Sequence, residues 1–165
     1  MTADAIIDEI LVREGGYVDH PSDRGNCTNH GITLDTLIVW RGGSVTCQDV
    51  QTLTVEEARR IYKALYIERP RLDRVADDRL RALLIDYAVH SGAQRAIRAL
   101  QVAVGVRPDG IIGPQTEAAL EQADPAFVYR SVLRDRIGLI ATILQREPSQ
   151  RAFAAGWVRR LAEFI

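Results

Sequence analysis

The sequence predicts a mainly α-helical fold built as a single domain, and three observations carry that reading. Apolar residues recur at spacings of three and four in run after run, the period of one face of an α-helix. Gly-Gly, Ser-Gly, Pro-Asp-Gly and isolated prolines divide those runs at intervals suited to short connections. The chain has 165 residues, 47% hydrophobic and 26% charged, enough for one cored domain and too few for two ordinary ones.

The first helix runs from Asp4 to Glu14, with Ile6, Ile7, Ile10 and Leu11 on one stripe. Gly15-Gly16 ends it, because glycine accepts the left-handed backbone of a C-terminal cap. A polar loop follows, and Thr33 is placed to cap a short helix over 34–40 that Gly42-Gly43 stops. The stretch from Ser44 to Gln51 reads as a loop or short strand. Thr54-x-x-Glu57 is a capping box for a helix carrying Ala58, Ile61, Tyr62, Leu65 and Tyr66, which ends before Pro70.

From Asp78 to His90 a helix is apolar nearly all round. Leu80, Leu83, Leu84, Tyr87 and Ala88 line one face and Ala82, Ile85 and Val89 the other, the pattern of a central element. Ser91-Gly92 breaks it, and Ile97, Leu100, Gln101 and Val104 mark a helix that ends at Gly105. Arg107-Pro108-Asp109-Gly110 has turn chemistry, and Gly113-Pro114 starts a helix through Leu120. Asp124-Pro125 opens a long helix to about Glu147, with Phe127, Val128, Ser131, Val132, Asp135, Leu139 and Ile143 as packing positions. Pro148 ends it, and Ser149 caps a last helix that packs through Phe153, Trp157, Leu161 and Phe164.

The chemistry concentrates after the first helix. Glu14 falls four residues after Ile10 and seven after Ile7, on the apolar stripe rather than on the solvated side with Asp8 and Glu9. Desolvation disfavours a charged carboxylate there and raises its pKa, the condition for a proton donor near neutral pH. The alternative is a helix-end residue turned to water or paired with an arginine. The loop closed by Gly31-Ile32-Thr33 then holds Asp19, Ser22, Asp23, Asn26, Thr28, Asn29 and His30. Two carboxylates and a hydroxyl in this arrangement suit glycoside hydrolysis. One carboxyl protonates the leaving oxygen while the other positions water or stabilises the oxocarbenium-like centre. Tyr17 is either a staple onto the core or an aromatic platform for a sugar ring. His30 either contacts substrate or bonds its own backbone. Asp86, inside the apolar helix, is either buried with an arginine or amide partner or open to a cleft.

Glu14-Gly15-Gly16-Tyr17-Val18, then Pro21-x-Asp23, then Thr28-x-x-Gly31-Ile32-Thr33 resemble the signature of glycoside hydrolase family 108, bacterial and phage N-acetylmuramidases related to lysozymes. Similar stretches continue at Leu53-Thr54, Glu56-Glu57-Ala58, Asp86-Tyr87-Ala88-Val89, Ser91-Gly92, Arg95-Ala96-Ile97, Leu100-Gln101, Asp109-Gly110 and Gly113-Pro114, and at Phe153 and Gly156-Trp157. The resemblance covers nearly the whole chain. It implies a lysozyme-like helical domain with residues 1–93 as its catalytic part and 94–165 as a helical part resembling a peptidoglycan-binding region.

It also implies that Glu14 is the general acid. Comparison with phage-type lysozymes points to Asp23 and Thr28 as holders of the attacking water, with Asp19 and Asp86 as rivals for the second carboxylate. Tyr17, His30 and Asp86 are the substrate-binding candidates. The chain departs from the family pattern at Asp23-Arg24-Gly25-Asn26, where Asp-Pro-Gly-Gly is common, and at His90, where asparagine often precedes Ser-Gly. The implied activity is cleavage of the β-1,4 bond from N-acetylmuramic acid to N-acetylglucosamine in peptidoglycan. A lytic transglycosylase or a non-catalytic wall-binding protein are the alternatives.

A formal net charge of −1 provides no general attraction to nucleic acid, so glycan strands would be held by local arginines. The N-terminus, with Asp4, Asp8 and Glu9, does not read as a secretory signal, and no run approaches a membrane span. The expectation is a monomer made in the cytoplasm and released to the wall, for example as a phage-type endolysin passing through a holin. In that setting Cys27 and Cys47 are expected to be reduced. His20, Cys27, His30 and Cys47 are ligand types for zinc, but their spacings match no usual ligand pair, so neither metal nor cofactor is expected.

Overall fold

The computed structural model describes residues 3–18 and 27–165, and the backbone alone at Ala3, Arg13 and Glu14. The fold is mainly α-helical, as the periodicity predicts, and its residues gather into two compact units, Met1–Arg69 and Pro70–Ile165.

In the first unit, α1 (Ala3–Glu14) buries Ile6, Ile7, Ile10 and Leu11 against α4 (Val55–Lys63), which contributes Ala58, Ile61 and Tyr62 to the same core. A small antiparallel hairpin follows the polar loop, with β1 (Thr28–Asn29) facing β2 (Ile32–Thr33) in the register Thr28–Thr33 and Asn29–Ile32. No strand was expected there. His30 and Gly31 form its turn with φ of 52° and 73°, the positive pair that a tight hairpin turn requires. The usual sequence signal for such a turn is Asn-Gly or Asp-Gly, and histidine in the first place hides it.

Thr33 caps α2 (Leu34–Arg41) as expected, accepting the Thr36 amide at 3.2 Å, and Gly42 and Gly43 end the helix at positive φ. Within Ser44–Gln51, read as a loop or strand, the structure has a short helix α3 (Cys47–Gln51). Its five residues are too few to show a helical period. What makes it is the cap, since the Thr46 amide and hydroxyl both donate to the Asp49 carboxylate at 2.8 and 2.7 Å. At α4 only half of the expected capping box forms. Thr54 accepts the Glu57 amide at 3.2 Å, while the Glu57 carboxylate is drawn away to Arg41 at 2.9 and 2.7 Å. Beyond Lys63 the chain widens into a π-helical turn, Ala64–Glu68, which buries Ile67 while Leu65 and Tyr66 are half-buried.

In the second unit, α5 (Asp78–Ser91) is the central element its composition predicts, with every residue from Ala82 to Ala88 buried. Asp77 caps it, accepting the Leu80 amide at 2.7 Å. α6 (Ala93–Ala103) and α8 (Pro125–Arg146) pack on α5 and on each other. Between α6 and α7 (Pro114–Gln122) the predicted Arg107–Gly110 turn is organised by buried Gln101. Its amide nitrogen donates to Asp109 at 2.8 Å, to the Ile111 carbonyl at 3.0 Å and to Thr116 at 3.2 Å, while its oxygen accepts the Gly110 amide at 2.8 Å.

The C-terminus differs from expectation in detail. A 3-10 segment, Pro148–Phe153, precedes α9 (Ala154–Ala162), so Ser149 lies within that segment rather than at the helix cap. Leu161 is buried, but Phe153 is 57% exposed and stacks on Trp157 with ring centres 6.3 Å apart. Phe127, expected to pack, is 54% exposed. It sits in the first turn of α8, where the burying face is set by Val128 and Val132.

Candidate active site

α1 delivers Glu14 as its last residue, in helical register with buried Ile7 and Ile10. Gly15 turns the chain away at φ 74°, a conformation that disfavours any side chain. Tyr17 follows half-buried, and Val18 then pairs with Thr28 through two backbone hydrogen bonds, each 2.8 Å. Asp19, His20, Ser22, Asp23 and Asn26 lie outside the described residues. The antiparallel bridge therefore brings Thr28, from beyond the polar loop, back beside the residue that stands four after Glu14.

Several devices hold this closing strand. Thr28 pairs with Val18 on one side and Thr33 on the other. Asn29 is buried, and its side-chain nitrogen donates to the carbonyls of Val50 and Gln51 at 3.0 and 3.1 Å, tying β1 to the end of α3. The carbonyl of His30 accepts the Tyr62 hydroxyl at 3.0 Å, linking the hairpin turn to α4. His30, half-buried as a residue, thus serves the backbone through its positive φ and its carbonyl. The polar residues were legible in the sequence, but Asn29 gave no sign of an anchoring role, since its acceptors are backbone carbonyls 21 and 22 residues away.

Cys27 and Cys47 correct an expectation. They form a disulfide between the start of the hairpin and the start of α3, with Cα atoms 5.6 Å apart, inside the range a bridge demands. Cys27 is wholly buried. Expecting free thiols followed from the compartment of synthesis, whereas the fold itself brings the two residues together. Both sulfurs are committed to each other, so neither is a thiolate available to zinc. Among the described residues no group of three or more His, Cys, Asp or Glu side chains is placed to hold a metal ion.

The charges near α3 form a surface cluster. Arg41 grips Glu57 through two hydrogen bonds and reaches Asp49 at 3.4 Å. The Arg41 hydrogen bond holds the Glu57 carboxyl below its ordinary range, and the Thr46 hydroxyl and amide do the same for Asp49.

Asp86 belongs to the other compact unit and is 3% exposed. One carboxylate oxygen takes a hydrogen bond from Arg136 and the other is 2.7 Å from Arg160 Nε. Burial pushes its pKa up, but the Arg160 hydrogen bond and the charges of Arg136 and Arg160 outweigh it and leave the group below the ordinary range. This is the buried, arginine-paired geometry, and both oxygens are occupied by protein. Arg136 itself is 3% exposed. Its burial was not foreseen, because arginine on a long amphipathic helix ordinarily marks the solvated face. Tyr87 donates its hydroxyl to Asp135 at 2.7 Å, and burial together with that carboxylate raises its pKa.

Comparisons with known proteins agree over the length of the chain. Residues 7–92 match the family model described as glycosyl hydrolase 108, and residues 94–162 match one described as "Predicted Peptidoglycan domain". The solved structure of Brucella abortus SagA is similar at a TM-score of 0.82 and 34% identity, covering 97% of this chain and 89% of that one. No curated protein matches. Among the described residues no helix is long and apolar enough to cross a membrane. With its matched family model spanning residues 7–92 and a similar fold over nearly the whole chain, the protein belongs to glycosyl hydrolase family 108 and is a glycoside hydrolase acting on peptidoglycan.

Proposed function

We propose that the protein is an N-acetylmuramidase that cleaves the β-1,4 bond from N-acetylmuramic acid to N-acetylglucosamine, with Glu14 as general acid. Asp23 is the second carboxylate, and Thr28 helps to position the attacking water. The observation that carries this reading is the Val18–Thr28 bridge, which returns the far end of the polar loop to the chain just beyond Glu14. The helical register that Glu14 shares with buried Ile7 and Ile10 supports this role, because a general acid must keep its proton near neutral pH. Tyr17 and His30 flank the same segment as candidate sugar contacts. Residues 1–93 form the catalytic part and 94–165 the wall-associated part of one lysozyme-like domain, which acts as a monomer.

We further infer a phage-type endolysin, made in the cytoplasm and acting on the wall after release. The Cys27–Cys47 bridge supports action outside the cytoplasm, because such bonds persist in oxidising compartments.

Digestion of purified sacculi by wild type and Glu14→Gln, with mass analysis of product ends, tests the assignment. Reducing muramic acid ends are expected from the wild type, with a loss of at least about a hundredfold in the variant. Anhydro ends would make the protein a lytic transglycosylase. Sacculus binding without products from either protein would remove the catalytic assignment.

A further inference from the structure

α6 and α8 border a groove of about 430 Å³ in the second unit, a volume within the range of clefts that take a small ligand. Three charged side chains line it, Arg95 and Arg98 from α6 and Asp135 from α8. All three residues are exposed, so a ligand can reach them from solvent. Arg95 and Arg98 stand three apart on one helix, where side chains are neighbours and two like charges repel. Among the described residues neither has a hydrogen bond or ion pair to offset that repulsion, although Asp135 lines the same groove.

Asp135 is instead held by Tyr87, whose hydroxyl donates to Oδ2 at 2.7 Å, and its Oδ1 has no hydrogen bond among the described residues. Arg98 is held as well. A Cβ on Gly110 would stand 3.3 Å from its Nε, so the Arg107–Gly110 turn lies against the guanidinium and limits its movement. The groove thus presents two positive charges and one negative, kept apart rather than paired. Ser91 and Gln94 add hydrogen-bonding groups, Ala99 and Val102 add apolar surface, and Gly92 leaves open space where a side chain would stand.

The complement of this lining is a peptide segment with two carboxylates and one ammonium. Peptidoglycan of the diaminopimelate type carries that set in its stem peptide. The γ-linked D-glutamyl residue exposes its α-carboxylate, and the free end of the adjoining diaminopimelate bears a carboxylate and an ammonium on one carbon.

We propose that this groove binds the D-glutamyl-diaminopimelate segment of an uncrosslinked stem peptide, with the two carboxylates on Arg95 and Arg98 and the ammonium on Asp135. The proposal rests on peptidoglycan being the substrate and extends that reading from the glycan to the peptide. Arg95, Arg98 and Asp135 all fall within residues 94–162, which match the peptidoglycan domain model. Guanidinium–carboxylate pairs are charge-assisted, and side chains already held in place lose less freedom when a ligand docks. Crosslinking turns the ammonium into an amide, so the groove favours stems that are not yet crosslinked.

The test is an NMR titration of the full wild-type chain with N-acetyl-L-alanyl-γ-D-glutamyl-meso-diaminopimelyl-D-alanine, followed at the backbone amides of Ser91 and Gln94. The comparison probes are the same peptide with lysine in place of diaminopimelate, the same peptide acetylated on its free amine, and inorganic phosphate. Saturable binding is expected, weaker by at least about fivefold for each comparison probe. Arg95→Gln and Arg98→Gln should each weaken binding by at least about fivefold, whereas Arg146→Gln, an equal loss of charge outside the groove, should leave it unchanged. Asp135→Asn keeps an acceptor for Tyr87 and should bind the free and acetylated peptides equally. Absence of binding, undiminished binding by both groove arginine variants, or an equal loss in Arg146→Gln overturns the proposal. Equal binding of the lysine peptide or of phosphate overturns the assignment to diaminopimelate. Sacculus digestion reports separately on the glycosidase reading. Reducing ends released by a chain that ignores the peptide would leave the muramidase standing and overturn this site. Peptide binding by a chain that releases no ends would support the site and remove the glycosidase reading.

Discussion

Replacing Asp86 by asparagine separates the two roles a carboxyl in α5 can have. The substitution preserves size but removes the carboxylate charge paired with buried Arg136 and half-buried Arg160. Removing one partner of a buried ion pair costs about 3–5 kcal/mol, because the remaining charge is left without compensation. For a chain of this length each kcal/mol lowers the melting temperature by about 2–4 °C, so a fall of roughly 10 °C is expected at pH 7. The pH dependence follows from the direction of the shift. The folded pKa of Asp86 lies below its unfolded value of about 3.9, so its contribution is fully present above that pH and is lost as pH falls through the folded value. The gap between wild type and Asp86→Asn should therefore be constant from pH 7 to about 5 and should close below about 4. Calorimetry across that range, with sacculus turnover measured well below both melting temperatures, is the assay. A change under about 1 kcal/mol accompanied by lost turnover would refute the structural assignment and return Asp86 to the substrate.

Two further variants address the hairpin. His30→Gly keeps the positive φ of the turn and relieves a strain of about 1 kcal/mol, so thermal stability should not fall, while loss of the sugar contact should lower sacculus turnover by about tenfold. Unchanged turnover would limit His30 to its backbone role in the turn. Replacing Cys27 and Cys47 together by serine opens a link across a sequence separation of 20 residues and should destabilise by about 3 kcal/mol, read as the difference in denaturant midpoint at unchanged slope.

The parts legible in the sequence were those written in local terms. The stripe of α1, the Gly15 cap, Thr33 before α2 and the all-round apolar character of α5 each depend on residues within a few positions of one another, and each appears in the structure. Features set by distant partners were not legible. Asn29 reaches α3, the Glu57 carboxylate leaves its own cap for Arg41, and Arg136 finds Asp86 fifty positions away, so no window of sequence contains both halves of the interaction. The short elements failed for another reason. Two-residue strands and a five-residue helix have no period to detect, and they exist because a turn or a cap makes them.

The base of the polar loop is held redundantly, and that redundancy decides what loss of the disulfide should do. Besides the bridge, the hairpin is secured by the Val18–Thr28 backbone pair, the two Asn29 hydrogen bonds to α3 and the Tyr62 hydroxyl on the His30 carbonyl. None of these depends on redox state. The disulfide duplicates the Asn29 connection, since both tie the start of the hairpin to α3. Its principal effect therefore lies on the unfolded chain, whose freedom it restricts, rather than on the geometry of the folded site. The serine pair should accordingly lose stability while retaining most of its turnover at a temperature where both forms are folded. An activity loss far larger than the stability loss would show instead that the bridge sets the position of the loop, and that Asn29 alone cannot.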